Sequence, residues 1–173
     1  AGYAGSRPVR GGNAARGQVQ LDVFGPIAEL VWQLLLAEAP VSSEHWRLVE
    51  AMVGAVEARW HEPDHGIWEI RKPRRHHVHS KVMCWLAVDR GIRISERFLD
   101  RKKPAWEQLR QTIAEDILDK AWHEESNAYT AAYGADDLDA ASLMIGLMGL
   151  VDCTDPRFMA TIDAIDKRLR MGP

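Results

Sequence analysis

Residues 42–60, SSEHWRLVEAMVGAVEARW, decide the fold class. Trp46, Val49, Val53, Val56 and Trp60 recur at alternating steps of three and four, which puts them on one face of an α-helix. Leu48 and Met52 widen that face. Pro40 closes whatever precedes, and Ser42 or Ser43 supplies a side-chain oxygen to cap the new helix. Upstream, Val19, Phe24, Ile27, Leu30, Val31, Leu34 and Leu35 predict a first helix from Gln18 to Ala39. Downstream, Val82, Trp85, Leu86, Val88, Ile92 and Ile94 predict a third, ending near Asp100. A fourth is expected from about Ala105 to Trp122, and a fifth from Leu138 to Val151. Asp155-Pro156 opens a sixth, lined by Phe158, Ile162, Ile165 and Leu169.

No segment carries the period-two alternation of a strand, so the chain reads as all-α, built of helical hairpins. Its long connections follow alternate helices. They therefore belong at one end of the hairpin array, where a site is assembled. One is residues 61–80, HEPDHGIWEIRKPRRHHVHS; another is the polar stretch holding Tyr129, Tyr133 and Gly134. The opening, residues 1–17, is rich in glycine and arginine and reads as a loop.

Composition narrows the functional classes. The 173 residues are 46% hydrophobic and 27% charged, the balance of a globular chain. A net charge of −3 gives no electrostatic case for nucleic acid or an anionic membrane. The longest apolar stretch, Ile27 to Ala39, is interrupted by Glu29, Gln33 and Glu38, too polar for a membrane span. Two cysteines, Cys84 and Cys153, form no disulfide framework and suit a reducing compartment, most simply the cytoplasm. The absence of an initiator Met and the Met171-Gly172-Pro173 end suggest an excised segment. Most of the seven tryptophans are expected in the core, though aromatic faces also stack on sugars.

The strongest chemical signal is residues 63–71, PDHGIWEIR. Glu69 stands between Trp68 and Ile70, and apolar neighbours favour the protonated carboxyl that a general acid needs. Arg71, Lys72, Arg74 and Arg75 favour the carboxylate instead, and a simple salt bridge to Arg71 fits the same residues. His76, His77 and His79, with Cys84 beyond, match no standard zinc spacing; no metal and no cofactor are expected. The run 71–75 reads as a solvated basic loop, and Asp136, Asp137 and Asp139 as helix-start acids. Neither a G-x-S-x-G elbow nor a P-loop is present.

Four stretches, taken in order, resemble glycoside hydrolase family 15, which includes glucoamylases and trehalases. They are SRPVRGGNAA (6–15) with QLDVFG (20–25); residues 63–71; HSKVMCWLAVDR (79–90); and LDAASL (138–143) leading to DPRF (155–158). The resemblance implies a partial (α/α)6 barrel, residues 1–173 being about half of its six hairpins. Loop 1–17 would lie on the substrate side and 61–80 would carry the general acid. It also implies inverting hydrolysis of α-glucosidic bonds, with two carboxyl groups standing roughly 6.5–9.5 Å apart. Glu69 takes the place of the general acid. Trp68, Arg7, Arg10, Arg71, His79 and Lys81 take substrate-binding places. Gly66 and Ile70 stand where starch-acting members carry acids, which tilts the substrate toward trehalose over other α-glucosides. No acid here matches the family's base, so the chain alone is expected to be inactive or nearly so. The competing expectation is a non-catalytic helical module that binds carbohydrate or protein through Trp68, Tyr129 and Tyr133. Exposed half-barrel faces imply self-association.

Overall fold

The computed structural model describes residues 3–5, 7, 17–69 and 72–171. Six α-helices account for most of them: α1 Phe24–Leu36, α2 Ser43–Arg59, α3 Val78–Leu99, α4 Pro104–Lys120, α5 Met144–Leu147 and α6 Pro156–Leu169. α1 pairs with α2 and α3 with α4, while α6 packs against the segments that follow α4, an all-α arrangement consistent with half an (α/α) barrel. α3 lies at the centre, against α1, α2, α4 and α5.

Local chemistry sets the ends. Ser42 Oγ accepts from Glu44 N at 3.2 Å and starts α2. Asp155 Oδ1 accepts from Arg157 N and Phe158 N, with Pro156 in the first turn of α6. α3 stops at Asp100, in the left-handed region at φ 50°.

α3 is buried on nearly every side, which explains its apolar run. Its buried charged members toward the C-terminal half are paired. Asp89, 2% exposed, accepts from Arg90 at 2.5 Å, Arg93 at 2.8 Å and Arg110 at 3.0 Å. Arg90 also reaches Glu29 of α1. One buried carboxylate thus ties α3 to α4, and its neighbour ties α3 to α1. Gly25 lets α1 approach closely: a Cβ there would stand 2.7 Å from the Met83 carbonyl oxygen.

Three expectations need correction. Residues 18–22 are not helical, because Val19 pairs with His65 instead. The fifth helix is a 3-10 turn, Ala140–Leu143, followed by one α turn. Gly149, at φ 83°, stops its continuation. Trp122–His123 leaves α4 and pairs with Ala128–Tyr129 as two-residue strands β1 and β2, too short to show alternation in sequence.

Six tryptophans lie in or against the core and Trp68 stands outside it. Ile27, Leu30 and Leu36 of α1 and Leu147 of α5 are exposed. Beside them an apolar groove of about 310 Å³ is lined by Pro26, Leu30, Met83, Leu86, Met144 and Met148. No helix among the described residues is long and apolar enough to cross a membrane.

Candidate active site

The N-terminal ends of α1 and α3 meet three interlaced segments: 18–22, the described parts of the long loop (61–69 and 72–77), and 121–139. The first runs beside the second. Val19 N donates to His65 Nδ1 at 3.0 Å, His65 N donates to Val19 O at 3.0 Å, and Leu21 N donates to Asp64 Oδ2 at 3.1 Å. A reciprocal pair of backbone bonds between Asp64 and Arg75 pinches the base of the Glu69 loop, at 2.9 and 3.0 Å. His77 pairs with Ala132, which joins the third segment to the second.

Glu69 sits near the tip of that pinched loop. Its φ is 48°, a left-handed conformation that costs a non-glycine residue about 1–3 kcal/mol and persists only where surroundings enforce it. Two glutamines bond this residue. Gln18 Nε2 donates to Glu69 O and Gln20 Nε2 donates to Glu69 Oε1, both at 3.1 Å. The carboxyl is exposed, so the apolar shelter expected from its sequence neighbours is not supplied by the described residues. The reason is the direction of Trp68. Its indole is 65% exposed and turned to Asp139, whose Oδ2 accepts from Nε1 at 2.6 Å. Asp139 Oδ1 meanwhile accepts from Ala141 N at 2.9 Å, so one carboxylate braces the tryptophan and caps the 3-10 turn. Arg75 is taken by Asp137, with nitrogen–oxygen distances of 2.9 and 3.3 Å.

The other sequence-predicted residues divide. Arg10 and Arg71 lie outside the described residues. Arg7 is exposed. His79, 8% exposed, opens α3 with its Nδ1 buried and without a partner among the described residues. Burial pushes its imidazole down, against the negative charges of Asp22, Asp139 and Asp64. His77, packed against Gly66, is pushed down by burial as well. Lys81 is 1% exposed, and its ammonium donates to the carbonyls of Trp60 and Glu62. It ties the start of the long loop to α3. A cavity of about 300 Å³ adjoins it, lined by Trp60, His61, His76, Asp116, Lys120 and Tyr133 and not by Glu69.

Gln18, Gln20, Asp22 and Asp139 were not identified from sequence as site residues. Gln20 and Asp22 fall inside the QLDVFG stretch, which is the only signal that pointed to them. Asp22 is partly buried, and its Oδ1 has no partner among the described residues. Burial pushes its carboxyl up, the negative charges of Asp64 and Glu69 add to this, and His79 opposes it.

Comparison with known proteins decides the family. The sequence model of "Glycosyl hydrolases family 15" matches residues 1–172. The chain belongs to glycosyl hydrolases family 15. Among curated relatives, the trehalase of Thermoplasma volcanium is 34% identical over 97% of this chain and 27% of its own length. The trehalase of Mycobacterium tuberculosis is 35% identical over 97% of this chain and 25% of its own. This family 15 chain therefore spans about a quarter of the length of the curated relatives it matches. Among solved structures, a glycosidase F290Y variant superposes with a TM-score of 0.78 at 18% identity, covering 94% of this chain and 43% of that one. A glycosidase E335A variant in complex with glucose gives 0.70, at 18% identity over 91% and 42%. At that identity the two structures speak for the fold alone.

Proposed function

We propose that this family 15 chain, as a single partial catalytic domain, supplies the general-acid side of an inverting α-glucoside hydrolase, with trehalose as substrate. The observation that carries this is the clamp on Glu69: a strained loop glutamate whose backbone and carboxyl are both held by glutamine amides. A general acid must keep its proton aimed at the leaving oxygen, and such pre-set geometry supports that role.

With Gln20 donating to Oε1, Oε2 is left to carry the proton. In the step proposed, that proton moves to the glycosidic oxygen as its bond to C1 breaks. Water adds to C1 from the opposite face and gives its proton to a second carboxylate, which lies beyond this chain. Trp68, braced by Asp139, would wall the sugar. Arg7, Arg10 and Arg71 would line the substrate side from loops 1–17 and 61–80, and His79 would bond a hydroxyl. Lys81 we assign to holding the loop, because its ammonium is committed to two carbonyls. The free thiols of Cys84 and Cys153 go with a cytoplasmic setting.

Inversion makes a distinct product. One ring of trehalose leaves as α-glucose and the attacked ring becomes β-glucose. Proton NMR of fresh trehalose hydrolysate from the full-length protein should show the two anomers in equal amounts at early times. α-Glucose alone would mean retention and reject the mechanism. Glucose binding without any turnover would favour the non-catalytic module.

A further inference from the structure

Buried polar atoms without partners are uncommon, and each costs about 1–3 kcal/mol unless something satisfies it. Three of the four such side-chain atoms among the described residues belong to Gln18, Asp22 and His79. Gln18 bonds Glu69 directly, and Asp22 lies near enough to His79 for its carboxylate to oppose the downward push of burial on the imidazole. Asp22 directly precedes Val23 and α1, and His79 lies in the first turn of α3. α3 has no side-chain cap. No acceptor meets the backbone N–H of His79 or Ser80 among the described residues. Behind the general acid there is thus a patch of unpaired donors and acceptors, on the ends of the two helices that pack most closely.

The chemistry of the missing partner follows from the atoms left open. Asp22 Oδ1 only accepts while ionised, whereas the backbone N–H groups only donate. The neutral imidazole of His79 offers one of each. A metal ion is a poor fit, since no three metal-ligating side chains converge among the described residues. A pair of adjacent hydroxyls fits well, because each hydroxyl both donates and accepts.

We propose that Asp22 and His79 form a diol-binding subsite for the glucosyl ring, Asp22 accepting from one hydroxyl and His79 Nδ1 bonding its neighbour. This rests on the carbohydrate reading of the Glu69 loop and adds the groups that hold the ring beside it. Asp22 is a substrate-binding residue here and takes no proton from water or sugar.

Direct titration of D-glucose into the full-length protein tests the subsite without requiring turnover. The readouts are the glucose dissociation constant and the imidazole resonances of His79. In the wild type, glucose should shift the His79 resonances. Asp22→Asn and His79→Gln should each weaken glucose at least about tenfold, as expected for one hydrogen bond to a charged or buried group. Glucose affinity unchanged in both subsite variants would overturn the proposal and leave the general acid untouched. A wild type that does not bind glucose, or whose His79 resonances stay fixed at saturation, would overturn it too. Binding that depends on Asp22 in a protein that hydrolyses nothing would uphold the subsite and sink the hydrolase. If Asp22→Asn does not fold, His79→Gln and the wild-type resonances decide.

Discussion

Glu69 and Trp68 stand out in the sequence because the motif proposed to carry the chemistry is contiguous there. Their supports could not. Gln18 and Gln20 reach Glu69 from 51 and 49 residues away, through pairing between two segments with no regular structure. Nothing in the period of 18–22 announces that pairing, and the apolar Val19 even suggests the start of a helix. Asp139 was legible as a helix-start acid, and it does cap a turn, but its second oxygen serves Trp68. The clamp can be tested one amide at a time. In the full-length protein, Gln20→Ala should lower kcat for trehalose about tenfold, matching about 1.5 kcal/mol for a hydrogen bond to a carboxylate. KM should move by less than about twofold, because the role proposed for Gln20 is to orient the acid and not to hold the sugar. Steady-state kinetics separates the two: a rise in KM alone would recast Gln20 as a binding residue.

Helices with capped ends are well marked in the sequence. Ser42 and Asp155-Pro156 start α2 and α6 where their side chains say they should. The fifth was overestimated because apolar spacing between Leu138 and Val151 outweighed two glycines. Gly146 packs under Phe158, where a Cβ would come within 2.4 Å of the ring, and Gly149 takes a left-handed turn. Glycines also give the sharpest test of the packing. Gly25→Ala would drive a methyl into the backbone of α3 at Met83, and should destabilise by about 1–3 kcal/mol. Gly54 is exposed inside α2, and a methyl added there would meet nothing within 4 Å. Gly54→Ala should therefore stabilise by about 0.5–1 kcal/mol through helix propensity. Urea midpoints of the two variants should move in opposite directions. Equal shifts would contradict the close α1–α3 approach.

For the whole molecule, the all-α class followed from helical spacing alone, whereas the half-barrel needed the family resemblance. No pattern within one helix says how many hairpins share a ring. The same scale carries the assembly expectation. Ile27, Leu30, Leu36 and Leu147 are open beside the methionine-lined groove of α1, α3 and α5, and an apolar face of this kind favours association. This chain alone should sediment as a dimer or larger species at micromolar concentration, and Leu30→Lys should shift it toward monomer. A wild-type chain that sediments as a monomer would mean the face tolerates water.

The central claim is that Glu69 is the general acid of a family 15 hydrolase. Its most direct test is the rate of glucose release from trehalose by the full-length protein beside its Glu69→Gln variant, which keeps the shape and an acceptor for Gln20 but cannot deliver the proton. A loss of about 100- to 10,000-fold in kcat is predicted, with the fold and glucose binding intact. A variant that retains activity within a few-fold of wild type would contradict the assignment.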